Sequence, residues 1–392
     1  MNRLAVALMA TILTSLAACA GQPVDEPVST GATVVQVPPL NNLYDTVWVH
    51  GSDNSVKSLE QVADDLSAYD VVFFGEFHGH SGVHLAQMRL FQALQQRSPE
   101  MTLSLEQFER DTQPLVDKYL AGDIGEKAFQ EEARGWDNYE QSYRPLVEYA
   151  KQHELPVLAS NAPKNAVICV GREGPEIIDS MPMPDRSWIA EEIHIDEGAY
   201  FDKYMSFISN TSSHRSTKAP DEDPDAAGRC TRIEPESKQD AEADDSENAG
   251  QEEELSEMMK SMVMKSFSGQ VVRDDTMAES IAMHLRDNPG RKVFHLDGNF
   301  HSASHLGTVE RLNMRMPELR LAVINPVAVE NNEAPAWSEE DAASGDYILL
   351  TMNTPQMFVC EETQLEFQRK TIRKRMGNEC IYKEKTEEKA DN

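Results

Sequence analysis

Five short runs, apolar but for Ser104 and His295, punctuate the chain, at residues 71–74, 103–105, 157–159, 293–296 and 321–324, each free of proline. Near-continuous apolarity over so few residues is the pattern of a strand covered on both faces, as in a parallel sheet. Residues 347–351 have the composition of a sixth strand, and Val47-Trp48-Val49 that of an edge strand. Between the runs the apolar positions take a helical period. Leu59, Val62, Ala63 and Leu66 mark a helix over 58–68, and Leu85, Met88, Leu90, Phe91 and Leu94 mark another over 83–96. A third covers 141–153 and stops before Pro156. Strand alternating with helix predicts an α/β fold, a central parallel sheet flanked by helices, in residues 44–111, 153–174 and 270–360. Residues 112–152 and 175–210 are too long for simple crossovers and carry helical patterns of their own. They predict a small helical subdomain inserted over one end of the sheet.

Outside this domain the pattern changes in kind. Residues 1–18 read as an export signal: Arg3, then a short apolar core over 4–16, too short for a permanent bilayer span. Leu16-Ala17-Ala18-Cys19 resembles the lipobox of bacterial lipoproteins, which implies cleavage before Cys19 and lipid on its thiol. Ala20 after that cysteine fits export to the outer membrane, periplasmic side. Residues 19–43 then read as a tether. Residues 211–260 read as a disordered acidic insertion, because 217–257 hold 15 Asp or Glu against four Lys or Arg and almost no aliphatic side chains. Residues 361–392 read as a charged tail. The net charge of −31 excludes nucleic acid as a partner, since phosphate binding requires clustered Lys and Arg. Of the cysteines beyond Cys19, namely Cys169, Cys230, Cys360 and Cys380, none has the C-x-x-C spacing of a thiolate metal site. Cys360 and Cys380, flanking a helical-looking tail, are the first expectation for a disulfide.

Residues capable of chemistry cluster just past the end of each strand. Gly75-Glu76-Phe77-His78-Gly79-His80 comes after the first, with Gly75 read as a tight exit, and Glu106, Glu109 and Arg110 after the second. Ser160 and Asn161 come after the third, Asp297, Gly298, Asn299 and His301 after the fourth, Asn325 and Pro326 after the fifth. In a parallel sheet these positions share one edge, where ligands bind. Glu76, His78, Glu106 and His301 form a nitrogen and oxygen set suited to a divalent transition metal, or to general base work on water. The bland alternative makes Glu76 and His78 helix-entry caps. His80 and His84, four apart, share a helical face with Gln87. Trp136, Tyr139 and Tyr143 fall on one helical face, either as core or as an aromatic wall offering a phenolate to haem iron. No Gly-x-Ser-x-Gly elbow and no phosphate-binding glycine loop is present.

Phe74-Gly75-Glu76-Phe77-His78, Ser104-Leu105-Glu106-Gln107-Phe108-Glu109-Arg110-Asp111, Trp136-x-x-Tyr139, Ala159-Ser160-Asn161-Ala162-Pro163 and Gly298-Asn299-Phe300-His301 together resemble the ChaN family. These are iron-regulated, haem-binding bacterial lipoproteins, distantly similar to the Tiki metalloproteases and erythromycin esterases. The resemblance covers about residues 60–330 and implies haem as cofactor, held near the junction of sheet and helical domain or between the subunits of a homodimer. It implies a role in iron or haem uptake, with Tyr139, Tyr143 and His84 as candidate axial ligands. In the wider superfamily, positions matching Glu76, His78, Glu106 and His301 line a metal-binding or water-activating centre. A metal-dependent periplasmic hydrolase is therefore the alternative. The acidic insertion departs from the family pattern.

Overall fold

Every apolar run forms a strand. In the computed structural model, which describes residues 37–213, 248–355, 357–377 and 379–382, the strands are β1 (Thr46–His50), β2 (Val56–Lys57), β3 (Val71–Glu76), β4 (Met101–Glu109), β5 (Val157–Asn161), β6 (Lys292–Gly298), β7 (Leu321–Val329) and β8 (Tyr347–Met352). The export signal, Cys19, most of the tether, residues 214–247 of the acidic insertion and residues 383–392 lie outside the described residues. The strands make one sheet in the order β2-β1-β8-β7-β3-β6-β4-β5. From β8 to β5 all neighbours are parallel, while β1 and β2 add an antiparallel edge. Among the described residues no helix is long and apolar enough to cross a membrane.

Alternation along β3 shows how the layers form. Val72 and Phe74 belong to the larger core, with the helices Leu59–Leu66 and Ser81–Arg97. Val71 and Phe73 belong to a second core with Ala278, Ile281 and Ala282 of the helix Asn248–Asp287. Each fully buried side chain of this size contributes about 1.5–3 kcal/mol. The first helix starts cleanly because Ser58 and Gln61 form a reciprocal capping box.

Three expectations are corrected here. The two long connections do not join into one helical subdomain. Val116, Phe129, Leu146 and their neighbours join the larger core, whereas Tyr200 and Tyr204 pack on Phe267 and Val271 of the helix Asn248–Asp287. Each connection carries its own apolar stripe and covers a different side of the sheet. Secondly, that helix begins at Asn248, inside the segment read as disordered. Once its apolar half docks, propagation outward through Glu, Gln, Leu and Met adds a hydrogen bond per residue at little cost. Finally, Cys380 pairs with Cys169, not with Cys360, which is disulfide-bonded as well. Pairing follows proximity in the fold, which spacing does not fix.

Register positions the site. Gly75 pairs with Asp297 and Glu76 with Gly298, so β3 and β6 end level. Leu105 pairs with Leu296, after which β4 bulges before pairing again at Glu109 with Asn161 of β5. Asn161 Nδ2 and the Ser160 hydroxyl donate to the carbonyls of Glu106 and Leu105, fixing that bulge.

Candidate functional site

Glu76 ends β3 with its carboxylate fully buried. Gly75 does not make a tight exit, because the strand continues through it. A Cβ there would come within 2.9 Å of the Asn299 Cα, so the glycine admits the loop after β6. Four side chains converge on Glu76. Oε1 accepts the Tyr143 hydroxyl, lies 2.8 Å from His78 Nδ1 and accepts from Gln107 Nε2 at 3.3 Å. Oε2 accepts from Gln87 Nε2 at 3.1 Å. Burial, then the charge on Glu76, pushes the Tyr143 phenol far up, so it remains a neutral donor.

The candidates separate sharply by environment. His84 is buried with both ring nitrogens engaged: Nε2 accepts from the Gly79 amide at 3.1 Å, and Nδ1 donates to Gln87 Oε1 at 2.9 Å. Tyr139 is 2% exposed, packed on Phe108 and Phe129, and its hydroxyl has no partner. Burial pushes its phenol far up too. His80 is a cap, accepting from the Val83 amide and donating to the Met352 carbonyl. His78 is different. Its side chain is 50% exposed, its ring meets the Trp136 indole edge-on at 4.9 Å, and Nε2 has no partner among the described residues. Burial works against its charged form, but the hydrogen bond to Glu76 and the charge of Glu106 outweigh it and raise its pKa.

Across β6 lies a second group. His301 Nδ1 is 2.8 Å from Asp274 Oδ1, and its Nε2 is 3.8 Å from Glu106 Oε1. Glu106 Oε2 accepts from the Gly298 amide at 2.7 Å. Asp274 also takes the hydroxyls of Tyr200 and Thr308, at 2.6 and 2.8 Å. Burial alone would lower the pKa of His301, yet Asp274 and Glu106 lift it to about 9. Glu106 and Asp274, against their own burial, are held below the usual carboxylate range, first of all by the charge of His301. His301 is thus an imidazolium at neutral pH, a proton donor without a lone pair to offer. Lys203 fastens its loop, donating to the Phe300 and Ala303 carbonyls at 2.9 and 2.7 Å. Behind the loop Asp297 is buried, accepts only the Ser302 hydroxyl, and is pushed well above the carboxylate range by burial.

All four residues expected at the sheet edge therefore meet around Gly298, where a Cβ would stand 3.0 Å from the His78 ring and 3.7 Å from Glu106 Oε2. They stand there as two pairs. Among the described residues no group of three or more His, Cys, Asp or Glu is arranged to hold a metal ion. Both Glu76 oxygens and Glu106 Oε2 accept internal donors, Glu106 Oε1 faces His301 Nε2 at 3.8 Å, and the four split into a Glu76–His78 pair and a Glu106–His301 pair. Sequence reasoning missed Asp274, Gln107 and the loop-holding Lys203. Only Asp274 left a signal: Asp274-Asp275 interrupts an otherwise apolar helical face of Val271, Val272, Ala278 and Ile281. Beside the first pair, Trp136 leads into a cavity of about 620 Å³ bordered by Trp188, Tyr382, Arg134 and Lys164.

A family described as haem-binding uptake, Tiki superfamily, ChaN matches residues 62–312. No curated protein sequence matches the chain. Among solved structures, cofacial haem-bound ChaN of Campylobacter jejuni is similar at 16% identity, covering 80% of this chain and 100% of that one, with a TM-score of 0.53. An erythromycin esterase variant in its open conformation is similar at 11% identity over 79% of this chain and 100% of its own, with a TM-score of 0.39. The first of these shares the fold, and the family match spans the strands from β3 to β6 with every residue of both pairs. The chain belongs to the ChaN family of haem-binding uptake proteins in the Tiki superfamily.

Proposed function

We propose that this chain binds haem at the carboxyl edge of the sheet, through His78, and handles it for iron or haem uptake at the outer membrane, tethered by lipid on Cys19. One observation carries the reading: among the candidate ligands only His78 has a half-exposed side chain, with its Nε2 lacking a hydrogen-bond partner among the described residues. Its other ring nitrogen lies 2.8 Å from the buried Glu76 carboxylate. Such a partner fixes ring orientation and strengthens an imidazole ligand. When bound, haem supplies an iron with an open axial position and a flat apolar face. The residues here fit both. His78 would hold the iron, Trp136 would form a wall, and Lys164 on the cavity rim would attract a propionate. The burial of Tyr139 and the hydrogen bonds already made by Tyr143 and His84 favour His78 over them as the ligand. Residues 19–43 give the domain a tether from the membrane, where several acyl chains at about 0.8 kcal/mol per buried CH₂ make a stable anchor.

Hemin titration of the purified protein, followed at the Soret band, tests this directly. A saturable shift is expected in the parent protein and in Tyr139→Phe and His84→Gln, and its loss in His78→Ala. Saturable binding unchanged in His78→Ala would overturn the assignment, and no saturable shift in any of them would overturn haem binding. Incorporation of labelled palmitate that vanishes in Cys19→Ala is the corresponding expectation for the anchor.

A further inference from the structure

The helix Asn248–Asp287 carries the run Met258-Met259-Lys260-Ser261-Met262-Val263-Met264, none of which belongs to the site above. Its two sides differ. Val263 and Met264 pack against the Tyr200, Tyr204 and Phe267 cluster. Met258, Met259 and Met262 point outward, 54%, 53% and 63% exposed. At about 100° per residue, Met262 lies a turn beyond Met258 and Met259 and between their directions. The three thioethers thus share a strip roughly 100° wide, with the i,i+3 and i,i+4 spacings that bring side chains together. The remaining exposed positions on this stretch, Glu257, Lys260 and Ser261, are polar, so the methionines are not part of a general apolar surface.

Thioether sulfur is a neutral, polarisable donor. Soft donors of this kind select Cu(I) over the harder divalent ions. The electrostatic setting does not oppose a cation, since the Lys260 ammonium is 3.7 Å from Glu197 and the chain as a whole carries −31. We infer that Met258, Met259 and Met262 form a surface site for a soft monovalent cation, Cu(I) or its analogue Ag(I), separate from the haem-binding edge. Methionine does not titrate, so this site holds its ion under acidic conditions where imidazole or thiol sites release theirs.

The test uses the exported, mature protein purified without reductant, so that the cysteines stay in disulfides. Ag(I), and Cu(I) buffered by a chromogenic chelator, are titrated at about pH 5 and about pH 7.5, on either side of the imidazole pKa. One ion per chain at both pH values is expected, with shifts confined to three ¹³C-methyl methionine resonances. Met262→Leu should weaken binding at least about tenfold, because it removes the sulfur between the other two; the tenfold corresponds to about 1.4 kcal/mol. Met258→Leu/Met259→Leu/Met262→Leu should abolish binding while leaving the circular dichroism unchanged, Leu keeping both volume and helix propensity. Binding at about pH 5 that survives the triple substitution, or no binding at that pH in the parent, would overturn the site. So would metal-independent self-association that the triple variant loses, which would make the strip an interface between copies.

Discussion

Glu76 and Glu106 stand on either side of β6, both buried at the carboxyl edge of one sheet, and they are stabilised by opposite means. Around Glu76 the donors are a phenol, two amides and one imidazole. Around Glu106 stands an ionic chain, Glu106–His301–Asp274, closed by the Gly298 amide and the Tyr200 hydroxyl. Amide and phenol donors satisfy a carboxylate without adding charge, and that leaves the fourth donor, His78, half outside. The ionic chain is sealed, so breaking it strands a charge in the interior. One half of the site is built to present a ring to solvent, the other to hold a loop.

The largest effect expected from this difference is on the sealed half. Asp274→Ala leaves the His301 imidazolium buried against Glu106 alone and removes the acceptor of Tyr200 and Thr308. Losing one member of a buried pair costs about 3–5 kcal/mol. An unfolding free energy from urea denaturation lowered by that amount is the expected result, and one within about 1 kcal/mol of the parent would show the chain is not ionic.

The same chain predicts how stability follows pH. His301 titrates near 6.5 when unfolded and near 9 when folded, so its contribution is complete below 6.5 and fades as pH rises through 9. Asp274 and Glu106, held low, contribute above the unfolded carboxylate range and lose that contribution on acidification. The alkaline loss, on the order of 3 kcal/mol, should flatten in His301→Gln. A parent protein whose unfolding free energy is level from neutral pH to pH 9 would place the His301 charge elsewhere.

How much of this the sequence disclosed follows the same division. Strands covered on both faces announce themselves by near-continuous apolarity, so all five runs, the sixth and the edge strand were legible. Glu76, His78, Glu106 and His301 were legible because strand ends deliver them to one edge. Whether an oxygen is already taken was not. Gln87, Gln107 and Tyr143 reach Glu76 from a helix, another strand and the turn between two further helices, and nothing in local spacing reports that convergence. The faces chosen by the two long connections, and the partner of Cys380, depend on the assembled fold in the same way.

On the open half, smaller effects are expected. Tyr143→Phe takes one donor from a buried carboxylate that keeps three others. Hydrogen bonds to charged groups contribute about 1.5–3 kcal/mol, so a loss near the lower end is expected by denaturant unfolding. The haem titration of this variant is informative as well: His78 keeps its bond to Glu76, and binding should persist within a few-fold.

The smallest effect sharpens the contrast between two neighbouring tyrosines. Tyr139 and Tyr143 sit four residues apart and are equally buried, but only Tyr143 has a hydrogen-bond partner for its hydroxyl. A buried hydroxyl without a partner forfeits its hydration and gains nothing in return, at a cost of about 1–3 kcal/mol on mutational scales. Tyr139→Phe removes that group and keeps the ring between Phe108 and Phe129. The void left by one oxygen offsets part of the gain. Stability should therefore stay level or rise by up to about 1 kcal/mol, opposite in sign to Tyr143→Phe. A Tyr139→Phe variant as destabilised as Tyr143→Phe would mean that the hydroxyl is satisfied, by a water or by a ligand reaching it through the Trp136 side. Hemin titration of that variant separates the two, because only a ligand contact would weaken haem along with the fold.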